Sequence, residues 1–217
     1  EKYDYIIAGF GCSGMSLLYR ILTTPTLKSK KILVIDKTKK NNNDRTWCYW
    51  EKKNGVFDKI VIKKWKSLQF FSHSFTKKFN LKKYTYKMIK GVDFYSFVLN
   101  FSKKFKNVTF KKENILRIET TNQKGLLISD KSMYYAEYIF NSTNLLLPKM
   151  TSKNSILQHF EGWFIKSKED LFDSKTGRLM DFRVSQKHGT TFMYLLPITK
   201  NEALIEYTLF SEKTLKK

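Results

Sequence analysis

Tyr3-Asp-Tyr-Ile-Ile-Ala8, then Gly9-Phe-Gly-Cys-Ser-Gly14, and later Lys31-Ile-Leu-Val-Ile-Asp36 are the stretches that decide the fold. The first reads as a buried strand, and the glycines follow it in G-x-G-x-x-G spacing. Gly9 allows the tight turn, Gly11 lets backbone amides approach a diphosphate, and Gly14 lets helix and strand pack together. After Cys12, the residues Met15, Leu18, Tyr19 and Leu22 recur at helical spacing. The unpaired N–H groups opening that helix, those of Cys12 and Ser13 among them, suit a phosphate. Ile32 to Ile35 is apolar throughout, as a strand covered on both faces should be. Asp36, 22 residues after Gly14, stands where an acid accepts from a ribose hydroxyl. This is a βαβ unit of an α/β, Rossmann-like dinucleotide-binding domain. The motif admits FAD or NAD, and its place at the start of the chain favours FAD.

The remaining composition narrows the partners. The 217 residues are 41% hydrophobic and 16% aromatic, enough for a sizeable core. The longest apolar runs fall far short of the roughly 20 residues that span a bilayer. The net charge of +22 invites a nucleic-acid reading. However, 36 of the 41 cations are lysine, spread along the chain in pairs such as Lys63-Lys64 and Lys111-Lys112. Nucleic-acid sites more often concentrate arginine with exposed aromatics, so nucleic acid is not expected as a partner. Attraction to an anionic membrane surface needs no defined site. Cys12 and Cys48 form no C-x-x-C pair, which points to a reducing compartment, the cytoplasm or its membrane face. No metal site is read. The chain starts without methionine and ends on Glu212-Lys-Thr-Leu-Lys-Lys217, which resembles a helix opening, so a longer protein is expected.

Asn41 to Asn43 mark a loop, followed by Asp44-Arg-Thr-Trp-Cys-Tyr-Trp-Glu51. Two readings stand side by side here: a turn into a core-anchoring strand, or a loop that aims Arg45 at the cofactor and lines a pocket with Trp47 and Trp50. Residues 56–90 alternate as β-strands do. Asp93 is expected to cap a helix from Phe94 to about Phe105. Short strands follow near 108–110, 115–119 and 126–129, and Tyr135 to Asn141 is expected to return to the nucleotide sheet. Four further strand-like blocks lie near 158–165, 179–183, 191–197 and 203–210 and predict an antiparallel sheet with an aromatic face. Asp181 and Arg183, two apart, share one face and can pair. Glu206 lies between Ile205 and Tyr207 with no adjacent cation. It is either a solvated strand residue or a buried acid with a raised pKa.

The blocks from Asp4 to Gly14, Asn43 to Glu51, Gln158 to Trp163, Leu179 to Arg183, Phe192 to Pro197 and Leu204 to Ser211 resemble the bacterial-type lycopene β-cyclases. That resemblance implies a glutathione-reductase-like flavoprotein with an inserted antiparallel substrate sheet. The expected division is 1–55 with 130–150 for the FAD domain and 56–129 with 151–217 for the β-rich substrate region. It also implies a cyclisation of lycopene to β-carotene through γ-carotene, with reduced FAD and NAD(P)H as reductant, on a peripheral membrane protein. The family's Phe-Leu-Glu-Glu-Thr motif aligns with Leu204-Ile-Glu206-Tyr-Thr208, which puts the family's acid/base residue on Glu206. Trp47, Trp50, Trp163, Asp181, Arg183 and Tyr194 are expected to form the substrate pocket. The resemblance also implies a later FAD-contacting region and a helical part, which are expected to lie beyond these residues. Another flavoenzyme of the same superfamily, or an inactive remnant, is the alternative.

Overall fold

The computed structural model describes residues 1–121, 124–148 and 155–214. They divide into two compact units, 1–45 with 91–148 and 46–90 with 149–217.

The first unit is a six-stranded mixed sheet with two helices. Strand β1 (Lys2–Ala8) is central, and helix α1 (Cys12–Thr23) leads from it to β2 (Ile32–Asp36). Helix α2 (Gly91–Ser102) and β8 (Val108–Lys112) follow after the second unit's strands, then β9 (Ile115–Thr121), β10 (Lys124–Ser129) and β11 (Met133–Asn141). The sheet order is β8-β2-β1-β11-β10-β9. The first four are parallel and the last two join antiparallel. Alternation divides β1 between two apolar layers: Ile6 and Ala8 join Leu33, Ile35, Leu127 and Tyr134 on one side, and Ile7 faces α1 on the other. Met15, Leu18, Ile21 and Leu22 are the buried residues of α1, and Tyr19 stacks on Phe97 and Phe101 of α2. As expected, β11 returns to the nucleotide sheet, in parallel register with β1.

The second unit is almost entirely β. One sheet is β3 (Thr46–Glu51), β7 (Thr85–Lys90) and β4 (Val61–Trp65), in that order and antiparallel. The other runs β12 (Leu157–Lys166), β15 (Glu202–Ser211), β14 (Thr190–Pro197), β13 (Thr176–Asp181), β5 (Ser67–Phe71) and β6 (Thr76–Asn80). Trp65, Tyr86 and Met88 from the first sheet pack with Leu68, Leu196 and Leu204 from the second. Buried Trp65 donates its indole N–H to the Pro197 carbonyl at 3.1 Å. Lys87 is only 2% exposed and is held by Glu51 and Asp58, each at 2.7 Å. A buried ammonium needs such partners.

Several expectations are corrected. Residues 91–129 belong to the nucleotide unit, because α2 packs on α1, β8 pairs with β2 and β10 pairs with β11. Residues 46–55 belong to the second unit, because β3 pairs with β7. Local sequence names a strand but not its partner. The four late blocks do form an antiparallel sheet, β12-β15-β14-β13, and β5 joins its edge in parallel with β13. Finally, α2 starts at Gly91, whose N–H reaches the Arg45 carbonyl at 2.7 Å, so Asp93 lies inside the first turn and complements the helix dipole there. Residues 212–214 are not helical, and 215–217 lie outside the described residues.

Candidate functional site

The first unit holds a cleft of about 520 Å³ at the carboxyl ends of β1, β2 and β11, where ligands of open α/β sheets bind. Gly9, Gly11, Asp36, Lys37, Thr38, Lys40, Asn114 and the run Ser142 to Leu145 line it. Gly9 has φ +91°, a backbone state that suits glycine. A Cβ on Gly14 would meet the Gly9 carbonyl at 2.2 Å, so the turn and α1 come this close only with glycine there. A Cβ on Gly11 would meet nothing within 4 Å and would stand in open space. No acid lies in the first turn of α1 to oppose an anion.

Asp36 is the organising side chain. It accepts from the Phe10 N–H at 2.7 Å and from the Thr38 N–H and hydroxyl, both at 2.8 Å. Burial pushes its pKa up, and these hydrogen bonds together with Lys40 outweigh that and hold it below the usual range. A carboxylate has about four acceptor sites, so a ribose hydroxyl can still be taken. Ser142 ties the turn to β11 by donating to the Ala8 and Gly9 carbonyls. Glycines, a helix start, an ionised acid and free cleft volume together fit an adenosine diphosphate.

Arg45 does not line this cleft. It is exposed, donates to the Asp44 carbonyl at 3.4 Å, and lies near Tyr95, whose hydroxyl donates to Asp44. Thr46 to Glu51 form a strand in which no residue is fully buried, and Trp50 is 47% exposed.

Glu206 stands in the second unit, half-buried near the middle of β15. It faces Tyr194 across β14 and Gly162 across β12. Burial raises its pKa, and the hydroxyl of Thr208, 3.1 Å from Oε1, opposes that rise. Cys48, Tyr86 and Tyr194 lie within electrostatic reach. Burial pushes the Cys48 thiol up to about 12 and also raises both tyrosines, so all three stay neutral near pH 7. Among the described residues no cation pairs with Glu206. It is not a solvated strand residue but a desolvated carboxyl with neutral neighbours. Gly162 leaves the strand beside it without a side chain, between half-exposed Phe160 and Phe164 on the same face.

The expected pocket residues split between faces. Tyr194 shares the Glu206 face, and Trp50 lies on the Cys48 side of β3, its ring 4.8 Å from Tyr86. Trp47 points to the opposite face of β3. Trp163 pairs with Ile205 and so lies on the face away from Glu206, as does Asp181 opposite Met193. These corrections follow from register, because a residue one place along a strand changes face. Asp181 accepts two bonds from the Arg183 guanidinium, at 2.7 and 2.8 Å, and one from Arg178 at 3.1 Å. The Arg183 bond, against burial, lowers its pKa. Both guanidinium groups stack on Phe71. The cluster edges a separate cavity of about 430 Å³ with Met193, Leu195 and Ile205, and its geometry is that of a structural anchor.

Residues 4–217 match the family model described as lycopene cyclase protein. The chain belongs to the lycopene cyclase family. No curated protein matches this cyclase-family chain. Among solved structures, Pseudomonas aeruginosa PqsL in complex with 2-aminobenzoylacetate aligns with TM-score 0.69 and 13% identity over 96% of this chain and 61% of that one. A geranylgeranyl bacteriochlorophyll reductase-like protein from Thermoplasma acidophilum aligns with TM-score 0.65 and 14% identity, over 98% and 57%. A variant of the halogenase PltM in complex with FAD aligns with TM-score 0.68 and 10% identity, over 96% and 52%. These identities speak to the fold alone, an α/β fold with a mixed sheet. The chain spans about 61% of the length of PqsL.

Part of the cleft was concealed in the sequence. Thr38, Lys40 and Asn114 line it but match no motif, and the lysine is one of 36 in the chain. Ser142 to Asn144 carried a signal, as small polar residues after a returning strand. Cys48 and Tyr86 carried none, because their approach to Glu206 depends on two sheets packing.

Proposed function

We propose that the complete protein is an FAD-dependent lycopene β-cyclase that converts the ψ ends of lycopene to β rings, giving β-carotene through γ-carotene. The observation that carries this reading is Glu206, a desolvated carboxyl with raised pKa on an aromatic-walled sheet face. Desolvation shifts such a group toward its protonated form, and the proton can be given to an electron-rich terminal alkene. The neighbouring double bond then closes on the cation, and a base removes a ring proton. One proton enters and one leaves, so the reaction is redox-neutral. Phe160, Phe164, Trp50 and Tyr194 present aromatic surface that binds a polyene and keeps water from trapping positive charge. The diphosphate of FAD would rest on the amides from Gly11 to Gly14, including Cys12 and Ser13, with the ribose on Asp36. When bound in reduced form, with NAD(P)H as the reductant, FAD supplies electrostatic stabilisation of the carbocation. Among the described residues no helix is long and apolar enough to cross a membrane. The bilayer-dissolved substrate and the net charge of +22 support a peripheral enzyme at the cytoplasmic face.

The test is expression of the full reading frame in cells that accumulate red lycopene, which should turn orange with β-carotene. Glu206→Gln should lower cyclisation by about 100-fold or more. Full activity in that variant would remove Glu206 as the acid. The likeness to flavin monooxygenases and halogenases favours a second reading, a redox flavoenzyme, and an oxidised or reduced polyene product would support it.

A further inference from the structure

A carboxylic acid that donates one proton must settle which oxygen carries it and where that oxygen points. Thr208 lies two residues beyond Glu206, on the same face of β15, and is completely buried. Its Oγ1 donates to Glu206 Oε1 at 3.1 Å. The titratable groups facing the carboxyl from other strands are Cys48 of β3, Tyr86 of β7 and Tyr194 of β14, all neutral near pH 7. From β12 the neighbour is Gly162, which brings no polar side-chain atom. Cys48 is also among the groups that raise the Tyr86 pKa, after burial. The Thr208 hydroxyl is therefore the donor that the fold supplies to Glu206 among the described residues.

We infer that Thr208 is a positioning residue, whose hydroxyl makes Oε1 the accepting oxygen of Glu206 and leaves the transferable proton on Oε2. The bond donated to Oε1 is stronger when Oε1 is the carbonyl oxygen than when it is the protonated one, which favours the proton on Oε2. The same bond restrains the side-chain torsions of Glu206, which holds Oε2 in one direction. It also favours the ionised carboxylate and so opposes the desolvation that raises the Glu206 pKa. Desolvation thus favours the protonated acid, while the Thr208 bond eases release of its proton. The inference rests on Glu206 being the acid of the proposed cyclisation, but its geometry is measurable without turnover.

Isotope-edited infrared titration of the protein reads it directly. The carboxyl C=O band lost in Glu206→Gln identifies Glu206. Thr208→Val should move the midpoint of that band to higher pH and raise its stretching frequency, because a hydrogen bond to the carbonyl oxygen is gone. Thr208→Ala should move both in the same direction if valine disturbs folding, and Thr208→Ser should restore both. An unchanged midpoint and frequency in the valine and alanine variants, or a serine variant that behaves like valine, would overturn the inference. The acid reading fails separately, if Glu206→Gln keeps cyclising lycopene while the infrared shifts occur as expected.

Discussion

Glu206 and Asp181 lie two strands apart in one sheet, and their environments push them in opposite directions. Glu206 loses water and gains no cation, so its folded pKa rises above the ordinary 4.5. Its contribution to stability is present below that value and is lost as pH rises through the folded pKa. Asp181 gains the Arg183 bond, so its folded pKa falls below 3.8. Its contribution is present above that value and is lost as pH falls through the folded pKa. Urea unfolding across a pH series should show both limbs. Asp181→Asn should flatten the acid limb and lower stability at neutral pH, because two guanidinium groups lose their acceptor. Glu206→Gln should remove the decline on the other limb and leave the protein at least as stable at pH 7. The Asp181–Arg183 pair was legible as two residues on one face of a strand. The buried state of Glu206 was not, since spacing alone fits a solvated and a desolvated carboxyl equally well.

At the scale of elements, the glycine turn separates folding from binding. Gly14→Ala forces a methyl against the Gly9 carbonyl, and overpacking of this kind costs about 1–3 kcal/mol. Gly11→Ala meets no neighbouring atom, so melting should change little while nucleotide affinity falls, as the methyl enters the space of the diphosphate. Calorimetric melting and titration with FAD or ADP distinguish the two variants; equal affinity for Gly11→Ala and wild type would sink the diphosphate assignment. The turn, α1 and β2 were readable because each is specified within a few residues. Helix α2 was misplaced by about three residues, because its start depends on the Arg45 carbonyl, 46 positions away in sequence. Trp163 was placed on the wrong face for a similar reason. Its block reads as aromatic throughout, and only the register of β12 against β15 sets Gly162, and not Trp163, opposite Glu206.

For the whole molecule, the +22 charge is carried mainly by lysine. Sedimentation with anionic vesicles should therefore be strong at low ionic strength and fall as salt shortens the Debye length below about 10 Å. Binding that ignores salt and lipid charge would point instead to the exposed apolar strand β12. The chain passes between its two units at 45/46, 90/91 and 148/149, and none of these points is marked by a proline- or glycine-rich linker. That is why the expected boundaries, at 55, 129 and 150, were displaced. The sequence by itself determined the nucleotide turn and the family, because these rest on residue types at short fixed spacings. The tertiary structure alone decided which strands share a sheet, which side chains share the Glu206 face, and that a threonine hydroxyl and neutral Cys48, Tyr86 and Tyr194 surround it. Those are outcomes of strand register and of sheet packing, which brings Cys48 and Tyr86 to Glu206 from more than a hundred positions away.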